Sequence, residues 1–252
     1  MKPIKLDATD VRILCVLQGH GQLSKSKLAE IVGLSPTPCW TRLTRLKKAG
    51  LIPVAHGGQN WQDFTTFESV VLGVGGAKFY NDALIKLDPK ALSSDTMKKS
   101  LETFRKVKGY TDAAAPGRDW NLATAMVIKG EAGMQLMGDW AKGEVIAAKL
   151  KPGVDILCSV APGTQGSFLF NTDFFAMFKV GADKVPAQLA MASAAMSPNF
   201  QETFNLAKGS IPARTDVSGD KFDDCGKKSM ADLKEAMGAN HLYGSLAHGH
   251  AQ

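Results

Sequence analysis

The chain has 252 residues, a net charge of +6 and four cysteines. That length allows one large domain or two smaller ones. No run of about 18 apolar residues is present to cross a bilayer, and Cys15, Cys39, Cys158 and Cys225 lack the CxxC spacing of a zinc site. The charge is concentrated at one end: residues 1–52 hold nine lysines and arginines against three acids, while the rest of the chain holds 21 of each. A basic end is what phosphate contact needs, and the neutral remainder has no electrostatic reason to touch nucleic acid.

Residues 6–18, LDATDVRILCVLQ, set Leu6, Ile13, Leu14 and Leu17 at helical spacing behind Asp7 or Thr9 as the cap. A second helix is predicted after Ser24, with Leu28, Ile31 and Val32 on its apolar side. Gly33 supplies the left-handed residue that ends it. Ser35 caps a third helix, with Pro36 at the first position, where a missing N–H costs nothing. Its inward residues are Cys39, Leu43 and Leu46, which leaves Thr37, Pro38, Thr41, Arg42 and Arg45 outward. The stem of Arg42 has an alternative place against the neighbouring helix. Three such helices enclose a small core, and a tight turn followed by a basic, hydroxyl-bearing helix is the arrangement that enters a DNA major groove. The same spacing also describes a plain helical hairpin with a solvated face.

LDATDVRIL and LSKSKLAEIVGLSPTPCWTRLTRLKKAGLI together resemble the N-terminal DNA-binding domain of the leucine-responsive (Lrp/AsnC) transcription regulators, over about residues 5–52. The resemblance implies an all-α, three-helix helix-turn-helix domain over 1–52, winged or simple, that binds double-stranded DNA through Ser35, Thr37, Pro38, Thr41, Arg42 and Arg45. Such regulators continue into a small α/β sensor domain that also makes the dimer. No matching alternation of strands and helices follows here, so a homodimer, which would set half-site spacing, has no assigned surface.

The character of the sequence changes near Leu51–Pro53, without a Ser/Gly-rich linker. FTTFESVVLGVG predicts a helix with Phe64, Phe67, Val71 and Val74 on one stripe, and FYNDALIKL another, stopped by Pro89. Ser94 or Asp95 caps a long amphipathic helix that ends at Gly109. Residues 120–130 form a further helix, Gly133–Met137 a short strand, and 154–160 (VDILCSV) a buried strand. The phenylalanine-rich stretch 167–180 reads as a strand pair or a bent strand. Helices follow at 186–196, at 199–209 behind Pro198, and at 231–238.

The segments HGGQNWQD, PGRDWNLATAMVIKG, GMQLMGDWAKGE, APGTQGSFLFNTD, LAKGSIPARTDVS and GSLAHGHA occur in that order. From about Ala55 to the end they resemble the later half of a periplasmic sugar-binding protein of ATP-binding-cassette importers, the glucose/mannose-type extracellular solute-binding family. The resemblance implies a helix-rich α/β lobe of periplasmic-binding-protein-like fold over 53–252, a monosaccharide ligand such as glucose, and no cofactor. A sugar site joins an aromatic face for the pyranose C–H surface with charged and amide groups for the hydroxyls. By this resemblance Trp140 is the stacking ring, Asp173 the carboxylate acceptor, and Lys208 and His248 the donors. Each has an ordinary reading as core, cap or solvated residue. The opposing lobe is expected to be missing, which exposes surface and weakens a two-lobed clamp.

Catalytic signatures do not emerge: GVGG at 73–76 is not a dinucleotide fingerprint, and GxxxxGK[ST], GxSxG and HExxH are absent. His248 and His250 alone are no metal site. The N-terminal residues lack a secretion signal, because Asp7, Asp10 and Arg12 break the apolar run, so a cytoplasmic location without membrane insertion is expected; Cys158 and Cys225 could pair in an oxidising compartment but are expected as thiols there. Two readings remain. One is a DNA-binding regulator fused to a sugar-receptor lobe; the other is a truncated carbohydrate-binding component of a sugar importer, a gene fusion without function.

Overall fold

The computed structural model describes residues 9, 10, 13, 16, 25–35, 37, 38, 41, 42 and 52–246. The predicted positions Ser24, Pro36, Cys15, Cys39, Leu43, Arg45, Leu46 and His248 lie outside the described residues. Two compact units are formed, one within Met1–Met137, Ser159–Gln165 and Ser245–Gln252, the other within Gly138–Cys158 and Gly166–Gly244.

In the first unit, α1 (Lys25–Ile31) is followed by Gly33 at φ 71°, the left-handed stop that the sequence predicts. The Leu34 amide then donates to the carbonyl of Ala29 at 2.8 Å. Ile13, Leu28, Ala29 and Val32 form a small buried cluster, with Val16 and Leu34 packed on its edge. Ile31 differs from its predicted role, because it lies on the open side of α1.

Beyond it, β1 (Ile52–Ala55) pairs in parallel with β2 (Ala132–Gln135), Ile52 opposite Ala132. Parallel strands require a long crossover, and here it holds α2 (Asn60–Tyr80), a π-helical turn (Asn81–Ile85), α3 (Pro89–Leu92), α4 (Asp95–Lys108) and α5 (Trp120–Ile128). Ala123 of α5 packs between Ala55 and Ala132, flanked by Ile52, Met126 and Val127. The Ser94 hydroxyl accepts from the Met97 amide, and Gly109 closes α4, as its sequence predicts.

The predicted stripe on α2 is displaced. Its buried side carries Gln62, Thr66, Glu68, Val70, Val71 and Leu72, while Phe67 sits edge-on to Phe104 at 5.6 Å. Gly76 leaves the helical region (φ 77°, ψ 175°) and kinks α2. The chain then runs directly into the π-helical turn, so the two predicted helices are one bent rod. At its centre Glu68 is buried and accepts from the Ser245 hydroxyl at 2.5 Å, the Leu246 amide at 2.9 Å and the Tyr80 hydroxyl at 3.3 Å.

A second polar knot sits where β1 ends. Buried His56 shares a 2.5 Å hydrogen bond with Asp63, which also accepts from Lys108 at 2.6 Å. Arg118 reaches the carbonyl of His56 and grips Asp112 through two bonds. Burial holds His56 below its ordinary value, against the hydrogen bond that it donates to Asp63. For Asp63 burial acts upward, but the hydrogen bonds from Lys108 and His56 outweigh it and hold the carboxyl low.

The second unit contains α6 (Ala141–Ala147), β3 (Phe168–Phe170), α7 (Val185–Ala195), α8 (Pro198–Lys208), α9 (Asp224–Gly238) and β4 (Leu242–Gly244). β3 and β4 pair in parallel, Phe168 opposite Leu242. Pro198 occupies the first position of α8 behind Ser197, whose hydroxyl accepts from Phe200. Residues 154–160 are not the predicted buried strand: they are irregular, and Val154 and Leu157 are each 65 % exposed. Within 167–180 only Phe168–Phe170 is a strand. The rest is an irregular strap that leaves Phe174, Phe175, Met177 and Phe178 open to water, and α7 beside it buries no residue.

Cys158 and Cys225 are not thiols but a disulfide that ties the 154–160 segment to the first turn of α9. The bond closes a separation of 67 residues to a Cα–Cα distance of 5.6 Å, the pairing that the sequence left open for an oxidising compartment.

Two outcomes are expected. Closing a loop of 67 residues removes roughly 4 kcal/mol of unfolded-state entropy, so dithiothreitol or Cys225→Ser should lower the calorimetric transition of the second unit and leave that of the first in place. In the first unit, the lowered His56 contributes stability that is present above 6.5 and lost as pH falls through its folded value. The lowered Asp63 contributes stability present above 3.8 and lost on further acidification. The thermal midpoint should therefore fall as pH drops from 7 to 3, and His56→Gln should remove the upper part of that fall.

Candidate functional site

At the basic end, Gly33 turns the chain out of α1 so that Ser35, Thr37, Pro38 and Thr41 are all exposed, and residues 37, 38, 41 and 42 are helical. The Thr41 hydroxyl donates back to the carbonyl of Thr37 at 3.0 Å, which leaves its lone pairs outward. Arg42 departs from its predicted outward pose. Its Nη1 donates to Oδ1 of fully buried Asp10 at 2.9 Å, so the guanidinium crosses to the first helical segment. A carboxylate shut away from water needs such a partner, and Arg42 serves the packing of the helices before it serves any ligand. Arg45 lies outside the described residues.

The second candidate site grows from the corner at Gly138–Lys142, where the chain enters α6. Trp140 is half-buried, and its ring folds over Gly138, where a Cβ would lie 2.0 Å from Cζ3. Behind it, the backbone of 208–209 is seated on 142–143. A Cβ on Gly143 would stand 2.8 Å from the Lys208 carbonyl oxygen, and one on Gly209 2.4 Å from the Gly143 nitrogen. Gly209, at φ 87°, ends α8 in the left-handed conformation and so leaves Lys208 as the last helical residue.

Lys208 pairs with Asp173 on the strap, and its ammonium stands 5.9 Å from the centre of the Phe204 ring. Phe204 stacks on Phe200 at 5.5 Å, and Phe200 meets Phe175 edge-on at 6.4 Å. Two of the resemblance-implied sugar residues, Asp173 and Lys208, are thus brought together as an ion pair flanked by aromatic rings. Trp140 belongs to the turn on which the Lys208 backbone is seated. His248 lies outside the described residues.

Sequence reasoning missed two groups here. Asp139, quoted only as part of GDWAKGE, accepts from the Ile211 amide at 3.1 Å. Burial pushes its carboxyl above the ordinary value, against the charge of Lys142, hydrogen bonds from Ser210 and Ile211, and the charge of Lys208. Lys142 is itself buried and donates to both oxygens of Asp223 at 3.2 Å. An acid directly before a tryptophan was the only available signal. Among the described residues no group of His, Cys, Asp and Glu could hold a metal ion, and no helix is long and apolar enough to cross a membrane.

Residues 6–52 match the winged helix-turn-helix DNA-binding family, and residues 40–195 match the bacterial extracellular solute-binding protein family, so the two matches overlap at 40–52. A Brucella suis protein described as "Probable sugar-binding periplasmic protein" is 55 % identical over 233 residues, which cover 91 % of this chain and 55 % of that protein. The chain spans about half the length of the curated sugar-binding relatives it matches. The leucine-responsive regulatory protein of Haemophilus influenzae is 53 % identical over 47 residues, covering 19 % of this chain and 28 % of that protein.

Among solved structures, the bacterial solute receptor AcbH, described as having an exclusive preference for β-D-galactopyranose, matches with a TM-score of 0.59 at 18 % identity. That match covers 84 % of this chain and 54 % of the receptor. The likeness establishes a helix-rich α/β fold of the periplasmic-binding-protein kind, behind a helix-turn-helix segment. Both families are of binding proteins rather than enzymes. The chain belongs to the bacterial extracellular solute-binding protein family and carries a helix-turn-helix segment of leucine-responsive type at its N-terminal end.

Proposed function

We propose that the chain is a sequence-specific DNA-binding protein of Lrp/AsnC type, with its helix-turn-helix domain in 1–52 and a sugar-receptor lobe in 53–252, and that it works in the cytoplasm. The observation that carries this reading is that the whole charge excess falls within residues 1–52, the stretch that also presents exposed Thr37, Pro38 and Thr41. Thr37, Pro38 and Thr41 meet base edges, Ser35 the backbone, and Arg45 supplies the cation, while Arg42 orients the helix from Asp10. The effector is a monosaccharide such as glucose, held by Trp140 stacking and by Asp173, Lys208 and His248. A sugar hydroxyl replaces the exposed Asp173–Lys208 pair, which by itself stabilises little.

The disulfide favours a second reading. A bond between Cys158 and Cys225 suits an oxidising compartment, and the sugar-binding relatives are described as periplasmic. In that case the chain is a carbohydrate-binding component of an importer, and its basic end has no operator. Alkylation of the two thiols in cells, read by mass shift, separates the readings: free thiols favour the first, blocked thiols the second.

The direct test is a gel-shift titration of the purified chain against random-sequence selected DNA, repeated with glucose and at two salt concentrations. The regulator reading expects binding that weakens steeply with salt, shifts with glucose and falls with Arg45→Ala or Thr41→Ala by about 1–3 kcal/mol each. No DNA binding at low salt would overturn it, whatever calorimetry shows for glucose.

A further inference from the structure

We infer that Asp139 is the positioning carboxylate of the sugar site: it pins the 208–211 turn to the Trp140 corner and so holds Lys208 in reach of a ligand hydroxyl. This rests on the sugar-binding reading above and assigns that site a residue it did not contain.

The geometry converges from several sides. Oδ2 of Asp139 accepts from the Ile211 amide at 3.1 Å, and Ser210, itself buried, also hydrogen-bonds to the carboxyl. Both donors lie within three residues of Lys208, on the far side of the left-handed Gly209. The paired glycines 143 and 209 let the two backbones meet with no Cβ between them, and the Asp139 bonds hold the residues that follow. Lys142, the nearest other cation on this element, is taken by both oxygens of Asp223. Lys208 is held in front by exposed Asp173 and feels the charge of Asp139 behind it. When a sugar hydroxyl displaces Asp173, Asp139 remains as the fixed negative group that keeps the ammonium and its turn in place. Trp140, the next residue along, fixes the ring plane of the same ligand, so one dipeptide sets both the stacking face and the cation.

An ionised carboxylate here is expensive: burial opposes its charge, and only Lys142, Lys208 and the Ser210 and Ile211 donors offset this. Titratable groups acting on it are Lys142 and Lys208 directly, with Asp223 and Asp173 behind those lysines. An amide would fill the same space and still accept from Ile211 without the burial cost. The charge acts on buried Lys142 first and on Lys208 after it, and Asp139→Asn separates that charge from the packing.

The test uses the full chain, with glucose as the probe in isothermal calorimetry from pH 8 down to 4, on wild type, Asp139→Asn and Asp139→Ala. Near-UV circular dichroism and thermal midpoints monitor the fold. The role expects Asp139→Ala to weaken glucose binding about tenfold or more by misplacing Lys208. Asp139→Asn keeps the midpoint equal to or above wild type at neutral pH, yet weakens binding several-fold and flattens its pH dependence, which in wild type falls toward acid as the carboxyl protonates. Unchanged affinity and unchanged pH profile in both folded variants would overturn the role while leaving the sugar site standing. Loss of the fold in both variants would reduce Asp139 to a structural residue. Absence of glucose binding by the wild type would remove the sugar reading and this role with it.

Discussion

A carboxyl group drawn away from water is costly unless donors meet it, and each part of this chain is arranged around one that has been met. Asp10 is answered by Arg42 from 32 residues away, which ties the first helical segment to the third. Glu68 is answered by Tyr80, Ser245 and Leu246, which brings the end of the first unit back onto the middle of α2. Asp139 is answered by Ile211 and Ser210, which closes the second unit's candidate site. In every case the acid selects a partner remote in sequence, so the cost of desolvation is converted into a specific tertiary contact.

The two candidate binding surfaces use charge in opposite ways. A groove reader relies on long-range attraction from exposed cations, and its affinity is spread over many phosphate contacts that release counterions. A sugar site relies on a few groups in fixed places, since a neutral ligand is not steered by net charge and its hydroxyls reward only well-aimed donors and acceptors. The charge excess of residues 1–52 fits the first requirement. The Lys208–Asp173 pair, set against the Phe200–Phe204 stack, fits the second.

What was legible in the sequence follows from the range of the interaction involved. Gly33, Ser94, Gly109 and Pro198 act within one helical turn, and the ends they predict are where the structure has them. The apolar run 154–160 was misread because hydrophobicity alone does not supply a pairing partner; the Cys158–Cys225 bond, not a sheet, organises it. Helical spacing placed Arg42 outward because spacing takes no account of a buried Asp10 on another segment. Trp140, Asp173 and Lys208 came from resemblance, and the structure adds that the last two meet. Asp139 offered no signal beyond its place before Trp140, because its partner Ile211 is 72 positions along the chain.

The strap from Asn171 to Val180 has a cellular consequence of its own. Irregular backbone that displays Phe174, Phe175 and Phe178 beside a helix with no buried face has the form that chaperones grip and proteases thread. Chaperones and proteases triage segments of that kind, which ties the steady-state level of this polypeptide to its rate of capture as well as to its folding stability.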